Sequence, residues 1–412
     1  MSHPKSLETL VNQSHPEQTD FLSELVRIPS DNPPGDCAPH AERAAVLLEA
    51  LGFTVERHVV PTADVNAIGM ISATNLIVRR RFGPGPVIAL NAHGDVVPPG
   101  EGWTTPPYGA EIRGGVMYGR GVAVSKSDFA TYAFALKALE DSGRPLRGAV
   151  ELHFTYDEEV GGLVGPGWLL DRGLTHPDYA VCAGFSHNIV VAHNGCLHLE
   201  ARIEGRSAHA ARPETGIDAL EAATQLLTSL YSLRESYSAV SSAVPGIGHP
   251  TLVVGLIHGG INTNVVPDVV SMRIDRRIIP EESPDTVEAD LIQHINKTCH
   301  RIPGIRVSTR RILLARPLTP VLGQKKLVDT IRHHAETIMA EQIPANGVPV
   351  YTDARLYSAV GIPTVLYGAG PHTLLEANGH RADEKLLLED LRRATQVVAL
   401  TLADLLAQDV SG

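Results

Sequence analysis

The stretch PVIALNAHGD at residues 86–95 decides the fold, because an unbroken apolar run leads directly into polar side chains. Such a run is typical of a strand that is buried on both faces of a parallel sheet. GAVELHFTY at 148–156 and DYAVCA at 178–183 have the same character, and a helix is predicted over about 127–141, between the strands at 86–92 and 148–156. Strands and helices in alternation predict an α/β catalytic domain with a mostly parallel sheet and crossover helices.

A second pattern interrupts the first one further along the chain. CLHLEARIEG alternates apolar and polar residues, as a strand with one exposed face does. It is followed in order by a predicted helix, two strands and a second helix: GIDALEAATQLLTSLYSL, TLVVGLIHGG, VVSMRIDRRI and SPDTVEADLIQHINKTC. We therefore expect a discontinuous catalytic domain, residues 1–195 and 311–412, with an α+β lid domain inserted at 196–310. The last helix of the catalytic domain is predicted from about Glu384.

The composition of the 412 residues limits the function classes. The net charge of −11 argues against nucleic acid or an anionic membrane as a partner. No stretch approaches the roughly 20 apolar residues of a membrane span, and the start lacks the apolar core of a signal peptide, so we expect a cytoplasmic protein. The four cysteines form no CxxC pair, which fits a reducing compartment and directs any metal site towards the 19 histidines and the carboxylates.

Polar groups follow two of the predicted strands at the point where each strand ends. His93 and Asp95 follow the strand at 86–92, and Glu158 and Glu159 follow the strand at 148–156. Taken singly, an HxD sequence arises often by chance and a Glu-Glu pair is usual in a solvated turn. Because ligands bind at the carboxyl ends of parallel strands, their joint placement indicates a divalent metal site of imidazole and carboxylate.

Seven motifs occur in order over about residues 15–405: NAHGDVVPPGEGW, YGRG, YDEEVGG, GRSAHAARPETGIDAL, GGINTNVVPD, TDAR and GHRADE. This ordered set resembles the co-catalytic zinc amidohydrolase and exopeptidase family, which includes acetylornithine deacetylase, succinyl-diaminopimelate desuccinylase, aminoacylase and glutamate carboxypeptidase. The resemblance implies a metal-binding α/β domain interrupted by a lid domain, and a homodimer formed through that lid domain.

The resemblance assigns roles in the metal site position by position. His93 matches a zinc ligand, and Asp95 matches the acid that orients it. Glu158 matches the general base that takes a proton from the attacking water. Glu159 matches a ligand of the other metal, and His380 in GHRADE matches the C-terminal histidine ligand.

The resemblance also assigns residues that contact the substrate. His209 in SAHAARP matches a lid histidine that reaches into the partner subunit's site and stabilises the developing oxyanion. Asn264 in NTNVVPD and Arg355 in TDAR match groups that hold a substrate carboxylate, a task that suits the planar guanidinium. Arg277 in DRRIIP matches a recurrent arginine of less defined role. Singly, His209 could cap a turn, Arg355 could pair with Asp353 at the surface, and His380 could be an ordinary loop residue.

Two positions depart from the family pattern. Val124 stands where the resemblance implies the aspartate that bridges two metals, and Gly184 stands where it implies a further carboxylate ligand. Two cations roughly 3.5–4 Å apart need a bridging anion, because they repel each other strongly. We therefore expect one divalent cation per subunit (zinc, manganese or cobalt), held by His93, Glu159 and His380.

Two nearby residues could replace the missing ligands. Asp128 lies one helical turn beyond Val124, and His187 lies three residues after Gly184. The other reading of both residues is that they are solvated or structural.

The sequence thus predicts a metal-dependent hydrolase that cleaves a C–N bond of a small anionic substrate. The first hypothesis is hydrolysis of the amide of an N-acyl amino acid or small peptide. The second is hydrolytic deamination of a carboxylated aromatic amine, as in a nitroanthranilate aminohydrolase, because an altered metal shell can change the chemistry. The third is a non-catalytic binding protein derived from this family.

Overall fold

The computed structural model describes residues 5–408, which separate into two compact units. The first unit contains the described residues up to Val191, together with 320–346 and the described residues from Thr352 onward. The second unit contains 192–319 and 347–351. Among the described residues, no helix has the length and apolar character that crossing a membrane requires.

Ten α-helices and fifteen β-strands lie within residues 5–408. The helices are α1 (Leu7–Val26), α2 (Ala38–Ala50), α3 (Thr62–Ala67), α4 (Lys126–Asp141), α5 (Pro166–Asp171), α6 (Ala219–Ser236), α7 (Pro284–Cys299), α8 (Gln324–Met339), α9 (Ala354–Ala359) and α10 (Leu388–Leu405). The strands are β1 (Val55–Val59), β2 (Thr74–Arg81), β3 (Val87–His93), β4 (Glu111–Arg113), β5 (Val116–Tyr118), β6 (Ala149–Thr155), β7 (Tyr179–Cys182), β8 (Ile189–His193), β9 (Gly195–Glu204), β10 (Thr251–Gly259), β11 (Val269–Ile278), β12 (Arg306–Ala315), β13 (Ala345–Val348), β14 (Thr364–Leu366) and β15 (Lys385–Leu387).

The largest sheet has eight strands in the order β1-β2-β6-β3-β7-β14-β8-β13. Its central strands are parallel: β3 pairs with β6 and with β7, and β7 pairs with β14. Every residue of β6 is buried, and β3 is buried after its first residue, as continuous apolar strands require. The predicted α/β class with mostly parallel strands is confirmed, while β1 and β2 add antiparallel pairs at one edge.

The helix α4 is the most deeply buried helix packed on this sheet and carries the loop 120–125 at its N-terminal end. It packs against α1 and α10, and its Phe129 ring stacks on Phe154 of β6 with 3.9 Å between ring centroids. Burial of a Phe or Leu side chain contributes roughly 1.5–3 kcal/mol. This packing therefore fixes the start of α4, and with it the loop, relative to the sheet edge.

The last helix begins at Leu388 and not at the predicted Glu384. Residues Lys385–Leu387 form β15, which pairs with β5. Glu384 itself is buried against Arg120, so tertiary contacts overrule the local helical pattern at these four residues.

The second unit is built on an antiparallel sheet with the order β10-β11-β9-β12. Alternate residues of β9 are buried and pack with α6 and α7: Leu197, Leu199, Ala201 and Ile203. The other face of β9 carries His198 and Glu200, which are partly exposed. This two-sided pattern matches the alternation in the sequence.

The boundaries of the second unit differ from those predicted at 195/196 and 310/311. The strand β12 continues to Ala315, which pairs with Cys196 at the start of β9. An unbroken ladder keeps the whole of β12 with the sheet. The short segment 347–351 also groups with this unit, which no pattern in the sequence indicated.

Candidate metal centre and active site

His93 is placed by the register of two parallel strands. It is the last residue of β3 and pairs with Thr155, the last residue of β6. The next amide, Gly94 N–H, donates to the Thr155 carbonyl at 2.8 Å. The segments that follow the two strands therefore emerge side by side at the carboxyl edge of the sheet, where ligands bind in α/β folds.

Asp95 is fully buried and connects these two segments. Its Oδ1 lies 3.3 Å from His93 Nδ1 and accepts a hydrogen bond from Glu158 N–H at 3.3 Å. Its Oδ2 accepts from Glu159 N–H at 3.2 Å and from Asn32 Nδ2 at 3.0 Å. His93 Nδ1 is also hydrogen-bonded to the backbone carbonyl of Asp95 at 3.0 Å. Asp95 thus orients the imidazole of His93 through its carbonyl and its carboxylate and holds the backbone of the Glu158–Glu159 turn, so that Nε2 of His93 is the nitrogen left for a metal.

Three side chains converge above this arrangement. One donor atom each of His93, Glu158 and Glu159 lies within 4.8 Å of the others. His93 Nε2 is 4.0 Å from Glu158 Oε2, and His380 Nε2 is 3.5 Å from Glu159 Oε1. Donor atoms around one tetrahedral zinc with bonds of roughly 2.0–2.2 Å are themselves roughly 3.3–3.6 Å apart. The 3.5 Å separation lies in that range and the 4.0 Å separation exceeds it. The group within 4.8 Å contains Glu158 but not His380, so His380 meets the cluster through Glu159.

The electrostatics of the cluster also fit a cation. Burial, together with the charges of Glu159 and Asp95, raises the pKa of Glu158 to about 8. Burial alone would lower the pKa of His93, but its hydrogen bond to Asp95 and the nearby glutamates raise that pKa well above its usual value. Carboxylates crowded into a buried site are relieved by a bound cation, so the residues present fit a divalent metal.

His380 differs from the other donors in its exposure and backbone. Its side chain is 53% exposed, against 9% for Glu159, and its φ of 61° is unusual for a residue other than glycine. The hydrogen bond and charge of Glu159 raise the pKa of His380. His380 therefore approaches the cluster from the solvent side, on the loop between β14 and β15.

Val124 and Gly184 stand where the resemblance implies carboxylate ligands, and neither residue provides a donor atom for a metal. The Val124 side chain packs against the apolar core, and its N–H donates to Glu384 Oε1 at 3.1 Å. A Cβ at Gly184 would lie 2.8 Å from Cβ of Leu366 and 2.9 Å from N of Tyr367. Any side chain at residue 184 would therefore displace the backbone.

The two residues considered as replacement ligands contact other groups. Asp128 is buried, and its two oxygens accept hydrogen bonds from Ala369 N–H at 2.7 Å and Gly184 N–H at 3.1 Å. Burial raises the pKa of Asp128 to about 7. His187 is hydrogen-bonded to Glu341. The structure thus brings neither residue into the group formed by His93.

Arg355 lies beneath the loop that carries the two glutamates, and not at the surface. Its guanidinium is buried and donates to the Gly161 carbonyl. Gly162 in the same loop has a φ of 71°, and a Cβ there would lie 2.2 Å from Oδ1 of Asp353. Arg355 and Asp353 therefore support the loop, and the role of Arg355 in substrate binding stays a prediction.

The predicted substrate residues of the second unit fall into two places. His209 and Asn264 are exposed and lie on adjacent segments, because His209 forms an antiparallel bridge with Val265. Arg277 instead donates to both oxygens of Asp275, at 3.0 and 3.1 Å. The structure brings His209 and Asn264 together, and their contact with a substrate stays a prediction.

Glu384 is a site-supporting residue to which the sequence analysis gave no role. This buried carboxylate accepts hydrogen bonds from Arg120 Nη1 (2.6 Å) and from the backbone N–H groups of Gly121 (3.2 Å), Ala123 (3.0 Å) and Val124 (3.1 Å). Burial raises its pKa. Its presence in the GHRADE motif was the available signal, but its partners lie more than 250 residues away.

Imidazole and carboxylate donors at the carboxyl edge of an α/β sheet, beside an adjacent glutamate, are the features of a metallohydrolase. Residues 89–404 match the model of peptidase family M20/M25/M40, and the chain belongs to this family. The predicted resemblance is thereby confirmed. The protein is accordingly a hydrolase of amide C–N bonds, in a family of enzymes that depend on divalent metals.

Two relatives span nearly the whole chain. The chain is 27% identical over 390 residues to a succinyl-diaminopimelate desuccinylase of Rhizorhabdus wittichii, covering 92% of this chain and 95% of the relative. It is 25% identical over 417 residues to an N-formyl-4-amino-5-aminomethyl-2-methylpyrimidine deformylase of Halalkalibacterium halodurans, covering 94% of each.

A solved structure shares the fold. The M20 family metallo-carboxypeptidase Sso-CP2 of Sulfolobus solfataricus superposes with a TM-score of 0.78 at 16% identity, covering 94% of this chain and 98% of that one. The likeness in fold therefore extends over both units, although most residues differ.

Proposed function

We propose that the protein hydrolyses the amide of a small N-acyl amino acid or short peptide that carries a carboxylate. The observation that carries the proposal is the convergence of His93, Glu158 and Glu159 at the sheet edge, with Asp95 bonded to all three. The names of both relatives denote removal of an acyl group, formyl or succinyl, from nitrogen. This supports an N-acyl compound as the substrate class.

His93, Glu159 and His380 would hold one divalent cation. The chemistry that such a cation supplies is Lewis-acid polarisation of the scissile carbonyl and of the attacking water. The valine at residue 124 and the steric contacts around Gly184 support a single ion, because neither position provides an anion to bridge two. Zinc, manganese and cobalt all suit imidazole and carboxylate donors.

Glu158 would act as the general base. It takes a proton from the attacking water and later delivers it to the leaving nitrogen, a role that typically contributes 10²–10⁴-fold to the rate. The hydrogen bond from the Glu158 N–H to Oδ1 of Asp95 fixes the backbone of Glu158. The side chain is thereby held beside the donor set without being needed as a ligand.

His209, reaching from the other subunit of the proposed dimer, would stabilise the developing negative charge, and Asn264 with Arg355 would hold an anionic group of the substrate. An imidazole N–H directed at the developing oxyanion stabilises the transition state by a few kcal/mol. Arg355 would contribute positive charge that favours an anionic substrate, acting from beneath the glutamate loop. The charge of Arg277 is paired with Asp275, so its part in substrate binding would require that pair to open.

We also propose a cytoplasmic homodimer formed through the second unit. The strand β10 lies at the end of its sheet and exposes Val253, Leu256 and Ile257, and exposed apolar edges mark pairing surfaces. A Leu256→Glu variant should be monomeric by light scattering. Leu322→Glu, a change at an exposed leucine outside this unit, should leave the mass unchanged. The four buried cysteines support a reducing compartment.

Hydrolytic deamination of a carboxylated aromatic amine is the second candidate. The absence of a carboxylate at Val124 and Gly184 favours it, because a different metal shell can position water against a different centre. Membership of a family of hydrolases argues against the third hypothesis from the sequence, a binding protein without catalysis.

One assay separates the three. The purified full chain, loaded in turn with Zn²⁺, Mn²⁺ and Co²⁺, is incubated with N-formyl, N-acetyl and N-succinyl amino acids, dipeptides and aminobenzoates. Acyl or amino acid release supports amide hydrolysis, and ammonia release alone supports deamination. Turnover of no compound, with metal bound, would overturn both catalytic proposals. Glu158→Gln is the control for contaminating activity.

A further inference from the structure

A second group of imidazoles and carboxylates lies in the first unit, separate from the residues of the His93 cluster. Strands β7 and β14 are parallel neighbours, and beyond their ends Phe185 and Gly370 form a further parallel bridge. His187 and His372 each lie two residues past this bridge. The bridge holds the two segments side by side, and the bends that follow it bring the two imidazoles together. Their rings stack with 3.6 Å between centroids.

Two carboxylates flank His187 on its opposite ring nitrogens. Nδ1 is hydrogen-bonded to Glu341, at the end of α8, and Nε2 lies 3.6 Å from Oδ1 of Asp390, in the first turn of α10. The Asp390 and His187 side chains are only 10% and 11% exposed, whereas Glu341 is 41% exposed. Donor atoms of His187, Glu341 and His372 all lie within 4.8 Å of one another.

We propose that His187, Glu341 and His372 form a second divalent-cation site, with Asp390 as the residue that positions His187. Two imidazoles and one carboxylate are a donor set suited to zinc, with water in the fourth position. Because a metal lies in the plane of each ligating imidazole, the exposed His372 ring would turn out of its stack on His187 to bind the ion. A carboxylate on the other nitrogen of a ligating histidine is the usual support for such a site. Asp390 lies beside one ring nitrogen of His187, as Asp95 lies beside one ring nitrogen of His93.

The site would act as a clamp on the fold. Its four residues come from the loops after β7 and after β14, the end of α8 and the start of α10. A bound ion would therefore join four segments that are distant in the chain, and the exposed sides of Glu341 and His372 leave it open to solvent. The cation stabilises the folded chain, because the unfolded chain has no assembled site.

The test measures metal binding in the absence of the catalytic donors. The full-length His93→Ala/Glu159→Gln double variant is stripped with chelator and titrated with Zn²⁺ by calorimetry and with Co²⁺ by visible absorption. We expect one ion per chain. Adding His372→Asn or Glu341→Gln should abolish that binding, and adding Asp390→Asn should weaken it by about 10–100-fold. Zn²⁺ should raise the melting temperature of the double variant, but not after His372→Asn.

His333→Asn is the matched control, because His333 is an imidazole on α8 outside the group. It should bind Zn²⁺ as the double variant does. Unchanged melting in chelator shows that each variant is folded. If the double variant binds no Zn²⁺, or binds it equally with and without His372 and Glu341, the second site does not exist, and the groups form an ion pair of protonated His187. Neither outcome bears on the amide hydrolysis assay, so the two proposals fail separately.

Discussion

The loops 120–125 and 156–162 are built in the same way, yet only the second carries candidate metal donors. A buried carboxylate, Glu384, accepts hydrogen bonds from the backbone amides of the first loop, and another, Asp95, accepts them from the second. The second loop presents Glu158 and Glu159. The first presents Val124 in the place where the resemblance implies a bridging aspartate.

This difference teaches that the scaffold of a metal site and its ligands are separable. The carboxylates of Glu384 and Asp95 contact backbone N–H groups, which every residue except proline provides. The first loop can therefore keep its conformation when its side chain changes from a ligand to a valine. Of the proposed donors, His93 and Glu159 contact Asp95, whereas His380 lies on the loop that ends at Glu384.

Replacing Glu158 with glutamine should have the largest effect. Glutamine cannot take up a proton, so turnover should fall by about 10²–10⁴-fold while Zn²⁺ affinity stays within a few-fold. Glu159→Gln should instead weaken Zn²⁺ binding. Steady-state kinetics and calorimetry on both variants separate base from ligand, and loss of Zn²⁺ binding in Glu158→Gln would show that Glu158 is a ligand.

Replacing Glu384 with alanine should destabilise the first loop. It leaves the buried Arg120 guanidinium and three backbone amides without this acceptor, and breaking a buried ion pair typically costs about 3–5 kcal/mol. Urea unfolding of the wild type and variant gives the loss in free energy. Glu376→Gln, an exposed acid nearby in the chain, should unfold as the wild type does. If Glu384→Ala changes the free energy of unfolding as little as Glu376→Gln does, the loop does not depend on this carboxylate.

Replacing Asp95 with asparagine should weaken metal binding by about 10–100-fold, the usual effect of removing the acid behind a ligating histidine. The amide also offers only one oxygen to the two backbone N–H groups of the second loop. Calorimetry with Zn²⁺ in the His372→Asn background restricts the measurement to the catalytic site. Asp36→Asn, at an exposed acid, is the control. Unaltered affinity would exclude a supporting role for Asp95.

Replacing Val124 with aspartate should have the smallest effect on affinity and directly tests the comparison. Because the loop is held by its backbone, the variant should fold, and the new carboxylate should allow a second, weaker ion beside Glu159 and His380. In the His372→Asn background, Zn²⁺ stoichiometry should rise from one towards two per chain, and Val124→Asn should not do this. If the His372→Asn variant binds two ions per chain while it still carries Val124, the single-ion proposal is wrong.

The sequence predicted the central elements well because their signals are local. The apolar runs at 86–92 and 148–156 marked buried parallel strands, and the polar residues after them marked the functional edge. It placed the start of the last helix at Glu384, where the helix begins at Leu388. The helical pattern there is local, but the burial of Glu384 against Arg120 depends on a residue 264 positions away.

Side-chain partners were predicted only where a motif implied them. The orientation of His93 by Asp95 was expected, and the two lie 3.3 Å apart. The hydrogen bonds from Glu158 and Glu159 to the same carboxylate were not expected. Asp128 was considered as a ligand from its helical spacing, but Ala369 and Gly184 occupy its oxygens, and neither contact has a signature in the sequence.

The sequence by itself determined the class of the sheet, since that follows from residue type and short-range periodicity, and its resemblance to the family predicted the candidate metal donors and the two positions where family ligands are missing. Only the tertiary structure decided that Gly184 has no room for a side chain, that one buried acid holds each loop, and that His187 meets His372. Those facts arise from strand register and packing between residues far apart in the chain, and such contacts depend on the whole fold because no local pattern encodes the distance between two segments.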